Sequence, residues 1–270
     1  AVFTPERSTK IRLVFDASAK GPNGKSLNDY LEKGPNYINN IQDVLMVWRW
    51  DKIGYCGDLR KMFNQIMLHP KDQIYHRFLF REDPEESPRI FQWLRLNFGD
   101  KPAPDIATGS IKILTKSYQE SLPVASKQLQ DNVYVDDIGG SAPTTEKTKK
   151  IIEDIDVILE ARKFKVKSWN SNNEEVEKSG TKCTTFLGQK WNKETDVFSF
   201  KKEFNIKPER TLTKRRCLSL VSQLWDLLGL ILPVTIKLRV DLQDLWHLAS
   251  RGMKIYRMIS KVNGLKIFKL

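Results

Sequence analysis

The sequence predicts an α+β fold, an antiparallel, ferredoxin-like sheet with two helices on one face. Short β-prone runs recur at Ile53–Asp58, Val133–Gly140 and Phe164–Lys167. Two helical patterns, 106–119 and 147–162, interleave with them. The resulting order is strand, strand-rich insert, helix, hairpin, helix, strand, second hairpin and basic helices. It brings Asp58 and Asp136 onto neighbouring central strands.

Taken in order, Lys10-Ile11-Arg12-Leu13-Val14-Phe15 alternates basic and apolar residues, so it reads as a strand with Lys10 and Arg12 on one face. Turn clusters follow at Gly21–Gly24 and Gly34-Pro35. A short helix from Asn40 to about Trp50 puts Val44, Leu45, Val47 and Trp48 on one side. Ile53–Asp58 reads as a buried strand, followed by a turn or short helix carrying Phe63. Two aromatic runs, 74–80 and 89–96, flank the polar loop Arg81–Pro88. The Gly/Pro loop Asn97–Pro104 leads into the helix predicted over 106–119. Residues 129–140 are expected to form an acidic hairpin. Thr144 or Thr145 is the expected N-cap of the next helix. A strand at 164–167 and a hairpin spanning 184–200 come next. In the tail, Thr213 opens one helix that Gly229 and Pro233 should close, and a second is expected over 235–249.

The chemistry-bearing stretch is Tyr134-Val135-Asp136-Asp137. Adjacent carboxylates at a hairpin tip repel and raise each other's pKa. A hard cation such as Mg²⁺ resolves that repulsion and keeps open positions for phosphate oxygens. Tyr-x-Asp-Asp arises by chance in roughly one chain in fifty of this size, so the motif alone does not decide between a metal site and a solvated turn. Asp58, at the end of a buried strand beside a loop, supplies a second acid. A helix N-cap is its plain structural alternative. The loop at Gly99 can be read as a phosphate-binding turn or an ordinary one.

Composition narrows the function classes. Of 270 residues, 40% are hydrophobic and 29% charged, which suits a packed soluble chain. No apolar run reaches membrane-spanning length, no signal peptide opens the chain, and an intracellular, cytoplasmic location is expected. Three scattered cysteines and three histidines without ligand spacing argue against a disulfide framework or zinc module. The net charge of +12 favours a polyanionic partner, most simply nucleic acid. Residues 201–270 hold 15 Lys/Arg against 5 Asp/Glu, so nearly all the basic surplus lies away from the acidic hairpin. The first residue is Ala1, and a fragment, processed segment or incomplete gene model is expected.

Several stretches in order resemble the reverse transcriptase of LTR retrotransposons, most closely the Bel/Pao group. They are Lys10–Pro35, "DLRKMFNQI" (Asp58–Ile66), "NFGDKPAP" (Asn97–Pro104), "YVDD" (Tyr134–Asp137), "RKFKVKSWNSN" (Arg162–Asn172), "TFLGQKW" (Thr185–Trp191) and Leu212–Val234. An ordered set is far more specific than any one motif. The resemblance implies a polymerase palm with a fingers insert and a basic helical thumb. The implied limits are 1–52 for the fingers entry, 53–66 for the first palm segment, and 67–103 for the fingers insert. The second palm segment, with a primer-grip hairpin, would span 104–200, and a truncated thumb 201–270. The resemblance implies two Mg²⁺ ions held by Asp58, Asp136 and Asp137. Phe63, Lys10, Arg12, Tyr134 and Gly99 would bind the nucleotide, and Phe186, Leu187 and Gly188 would form the primer grip. The implied partners are an RNA or DNA template with its primer, and dNTPs. The competing expectation is a catalytically inactive remnant that only binds nucleic acid. The sequence departs from the family pattern at Gly57, where alanine is common, at Asp105, where an aromatic residue is usual, and at Leu227, where proline is usual.

Overall fold

A computed structural model describes residues 2–3, 11–12, 14–200, 213–223 and 226–247. The chain divides into two compact units, Ala1–Ser179 and Gly180–Leu270. The divide falls inside the span 104–200 that the sequence assigns to one region.

The first unit opens with a two-stranded pair, β1 (Val2–Phe3) and β2 (Ile11–Arg12). A short helix, α1 (Leu27–Tyr30), starts at a capping box in which Ser26 and Asp29 satisfy each other's backbone. Helix α2 (Ile41–Trp48) buries Val44, Leu45 and Trp48, and the Asn40 side chain caps it by accepting from Gln42 N–H. Strand β3 (Ile53–Leu59) is buried at every position but Asp58, as a strand covered on both faces should be. Two single-turn helices follow, α3 (Met62–Gln65) and α4 (Pro70–Gln73), the latter unanticipated from the sequence. The aromatic runs pair as an exposed hairpin, β4 (Arg77–Phe80) with β5 (Arg89–Gln92).

Helix α5 (Ala103–Lys116) begins three residues before the expected start. Pro104 belongs to its first turn, where a missing N–H costs nothing. Helix α6 (Pro123–Asp131) was not expected. Leu129–Asp131, assigned from sequence to the acidic hairpin, are its last turn, because Ala125, Ser126 and Leu129 bury against α5 and the following helix. The hairpin proper is β6 (Val133–Tyr134) and β7 (Asp137–Ala142).

Helix α7 (Thr145–Glu160) has Thr144 as N-cap, its hydroxyl accepting from Lys147 N–H at 3.3 Å. It ends where Lys163 turns left-handed (φ 63°) and Phe164 N–H closes back on Leu159 C=O at 3.0 Å. Strand β8 runs over Val166–Ser171, later than the 164–167 expected, because Phe164 is taken into the core.

The main sheet has the order β6-β7-β3-β8, each neighbour antiparallel. Alternation along β3 sends Tyr55, Gly57 and Leu59 to one face. There Tyr55 and Leu59 join Ile111 of α5, Leu129 of α6, and Ile155 and Ile158 of α7 in one core. Burying each of the two α7 isoleucines stabilises the fold by about 1.5–3 kcal/mol. Gly54, Cys56 and Asp58 point to the other face. Three long helices rather than two therefore back the sheet, and α2 crosses one end of the opposite face. At that end Ser141 Oγ donates to Val47 C=O at 2.6 Å and accepts from Asp51 N–H at 3.0 Å.

Two glycines are required by packing. A Cβ on Gly140 would lie 2.4 Å from the Tyr55 hydroxyl, and one on Gly57 would lie 2.5 Å from a Val166 methyl and 3.1 Å from the Trp169 ring. Gly57 thus stands where the usual alanine would strike the β8 side chains.

The second unit begins with a three-stranded meander, β9 (Cys183–Phe186), β10 (Gln189–Asn192) and β11 (Val197–Phe200). Trp191 is fully buried and donates its indole N–H to Asp196 at 2.8 Å. Helix α8 (Lys214–Val221) is capped by the Thr213 hydroxyl, as the sequence predicts, but it ends at Val221, well before Gly229. There Asp226 draws the chain into a turn by accepting from Leu230 and Ile231 N–H. Helix α9 (Leu232–His247) starts earlier than the expected Thr235, with Pro233 in its first turn rather than closing the preceding helix. Leu224, Trp225 and Ala249, read as apolar positions of these helices, lie outside the described residues.

Candidate nucleotidyl-transfer site

Asp58 and Asp137 are directly paired across β3 and β7. Both side chains point to the face opposite the helical core, at the end α2 does not cover. Val135 and Asp136 form the two-residue turn between β6 and β7. Val135 holds φ at 57°, an uncommon value for a β-branched residue and a strain often found at functional turns. The Asp136 C=O accepts from Leu59 N–H at 2.8 Å, which pins the tip of the hairpin to β3.

Three carboxylates are thus gathered by two strands and one turn. Burial, and after it the charges of Asp136 and Asp58, push the Asp137 carboxyl up to about 7 against the opposing pull of Lys167. A cation is already present there: the Lys167 ammonium donates to both oxygens of Asp58, at 2.8 and 2.7 Å. Lys167 was not among the residues singled out from the sequence. Its only signal was its place in the basic alternation Lys165-Val166-Lys167, which does not tell which acid it would meet.

The donor set suits a hard divalent ion, since all three groups offer oxygen and their mutual repulsion is relieved by positive charge. Among the described residues no three His, Cys, Asp or Glu side chains stand arranged as metal ligands, and Asp58 spends both oxygens on Lys167. Asp58, Asp136 and Asp137 are the residues that could hold such an ion.

The remaining sequence-predicted residues fall in different places. Phe63, on α3, is buried and packs against Phe98 with ring centroids 4.6 Å apart. Tyr134 is half-buried and pairs with Asp137 in the hairpin. Gly99 has φ 114°, and a Cβ there would lie 2.1 Å from the Phe15 carbonyl oxygen. Its lack of a side chain lets residues 15–17 close over the loop. Asp105 turns inward, accepting from Tyr37 N–H at 3.2 Å, so the unusual acid braces the segment before α2. Lys10 lies outside the described residues, and Arg12 is described only as part of β2. In the second unit, Leu187 (φ 46°) and Gly188 (φ 84°) make the two-residue turn between β9 and β10, the double left-handed geometry of a type I′ hairpin. Phe186 is buried beneath it.

Residues 17–190 match the family of reverse transcriptases (RNA-dependent DNA polymerases). No curated protein matches the chain in sequence. Among solved structures, the chain resembles the foamy viral protease–reverse transcriptase. Its dRH form in complex with double-stranded DNA aligns with a TM-score of 0.60 at 19% identity, over 92% of this chain and 42% of that one. A second complex with double-stranded DNA gives 0.60 at 20% identity, over 91% and 50%. The complex with an RNA/DNA hybrid gives 0.56 at 19%, over 85% and 29%. The chain therefore spans half or less of the length of these relatives, and at such identity the likeness is one of fold. No helix among the described residues is long and apolar enough to cross a membrane. The family match covers most of the chain and takes in Asp58, Phe63 and the whole Asp136-Asp137 hairpin, and on that ground the chain belongs to the reverse transcriptase family, a family of nucleotidyltransferases.

Proposed function

We propose that the chain is the polymerase portion of an RNA-directed DNA polymerase of the LTR-retrotransposon type, most like the Bel/Pao group. It extends a primer on an RNA or DNA template using dNTPs. The observation that carries this reading is the cross-strand pair Asp58–Asp137, with Asp136 at the adjoining turn, at the end of the sheet face that α2 leaves open. Asp58 and Asp136 are the principal holders of two Mg²⁺ ions, assisted by Asp137. Such ions supply Lewis-acid stabilisation, lowering the pKa of the primer hydroxyl and neutralising charge on the α-phosphate and pyrophosphate.

The chain's own residues position and select. Phe63, packed against Phe98, excludes a 2′-hydroxyl from the incoming sugar. Tyr134 flanks the acids, and the loop at Gly99 shapes the nucleotide pocket from the side of Phe15. Lys10 and Arg12 neutralise the triphosphate. Residues 1–52 and 67–103 act as fingers, 53–66 and 104–200 as palm, and 201–270 as thumb. Phe186, Leu187 and Gly188 serve as the primer grip, where a stiff I′ turn gives a defined surface for a backbone. Exposed Lys214, Arg215, Arg216, Lys237 and Arg239 on α8 and α9 contact phosphates without reading sequence. The foamy viral relatives, bound to double-stranded DNA and to an RNA/DNA hybrid, support a primer–template as partner. A cytoplasmic site of action accords with this role.

The test is incorporation of dTTP on poly(rA)/oligo(dT) with Mg²⁺, beside Asp136→Ala. Incorporation abolished by the substitution is the expected result. Salt-sensitive binding of the primer–template without incorporation would replace this reading with that of an inactive nucleic-acid-binding remnant.

A further inference from the structure

The register between β3 and β8 breaks at the acids. Gly57 pairs with Trp169 and Leu59 pairs with Val166. Two steps on β3 therefore face three on β8, so Lys167 and Ser168 together stand opposite Asp58. This is a β-bulge, a device that re-aims a side chain and recurs beside active sites. Its effect here is to send the Lys167 ammonium onto both Asp58 oxygens. The pair is half-open to solvent, with Lys167 40% and Asp58 42% exposed, so the ammonium can leave at little cost. It also has somewhere to go. Lys167 lines a solvent-open cavity of about 260 Å³ between α7 and β8, with Asp156 and Glu160 and two further lysines, Lys165 and Lys178, in its wall.

We propose that Lys167 is a resident counter-ion of Asp58, held there by the β8 bulge and displaced into the adjoining open cavity when a divalent cation takes Asp58 as a ligand. Lys167 is thus a positioning residue: it keeps the three acids together before the cation arrives, and it sets how much cation is needed to fill the site. The proposal rests on the reading of Asp58, Asp136 and Asp137 as the cation-holding acids. A single charge on the rim would change cation affinity whatever it touched. Lys165, two residues away and lining the same cavity, provides the control, since it lies 3.8 Å from Glu160.

The experiment titrates Mn²⁺ alone into the 270-residue chain and follows free Mn²⁺ by electron paramagnetic resonance. The variants are Lys167→Met, Lys167→Gln, Lys167→Arg, Lys165→Met and Asp136→Asn. Lys167→Met and Lys167→Gln are expected to lower the Mn²⁺ Kd by about threefold or more relative to both the parent chain and Lys165→Met, the size set by a half-exposed ion pair. Lys167→Arg, which keeps the charge, should not lower it. Equal affinities for Lys167→Met and the parent overturn the proposal. So does an equal gain in Lys165→Met, which would reduce the effect to net charge. Mn²⁺ binding that is absent in every chain, or that Asp136→Asn leaves intact, instead overturns the reading of the acids and the proposal with it. Two neutral replacements at an exposed strand position guard against a folding failure in one of them.

Discussion

Two acid–base pairs in the first unit have similar distances and differ in what surrounds them. His76 Nε2 meets Asp100 at 3.0 Å with the two side chains 6% and 2% exposed, and its other ring nitrogen lies 3.1 Å from Asp72 C=O. This pair locks the chain at the end of α4 to the loop that enters α5. Lys167 meets Asp58 at 2.7 Å, but nearly half of each side chain is in water. The buried pair cannot be opened without stranding a polar group in the core, whereas the open pair can exchange its cation at small cost. Burial, not distance, separates a structural bond from an exchangeable one.

The sharpest way to break that contrast is to remove one acid from each. Asp58→Asn should lower primer extension by more than about a hundredfold, as expected when a group that positions transition-state charge is lost, while the urea midpoint stays close to that of the parent. Asp100→Ala should do the reverse: about 3 kcal/mol of stability lost to an unpaired buried group, read by urea denaturation at pH 6. If Asp58→Asn unfolded the chain, the open pair would be structural after all.

A smaller effect is expected from Gly140→Ala, which drives a methyl into the Tyr55 ring behind the acids and should cost about 1–3 kcal/mol in the same assay. It tests whether Gly140 is there for packing; a variant as stable as the parent would point to flexibility instead.

The buried pair should also carry a pH signature. The hydrogen bond that His76 donates to Asp100 foremost, with further help from Asp72, raises the His76 pKa above its usual 6.5. A raised histidine contributes stability that is full below pH 6.5 and is lost as pH climbs through the folded value. Urea midpoints measured from pH 5.5 to 8.5 should therefore carry a falling component that His76→Gln removes. The smallest effect belongs to Lys167→Met, which should change stability by no more than about 1 kcal/mol, a value differential scanning calorimetry can bound. A larger loss would place Lys167 with the buried pair.

Much of this molecule was legible before folding. The buried strand Ile53–Asp58, the Asp136-Asp137 turn, the Thr144 and Thr213 caps and the apolar stripe of α7 are local patterns, and local patterns survive into structure because they need no distant partner to be recognised. Helix α6 was missed because Lys, Gln and Asp fill most of its outer surface and its three buried residues, one of them a serine, are too few to show a period. The ends of α8 and α9 were misjudged because Gly229 and Pro233 were read as stops, when the turn is built by the Asp226 carboxylate.

By itself, the sequence determined that acids would gather at a hairpin, that a strand bearing Asp58 would run beside it, and that the basic surplus falls in residues 201–270. Only the tertiary structure decided that Asp58 faces Asp137 directly, that Gly57 is needed beneath Trp169, that Asp105 is turned inward, and that a bulge delivers Lys167 to Asp58. Each of these is a register or a contact between residues far apart in the chain, 68 positions for Tyr37 with Asp105 and 109 for Asp58 with Lys167. Side-chain period says which face a residue takes, but a shift of one residue between strands changes every partner on that face.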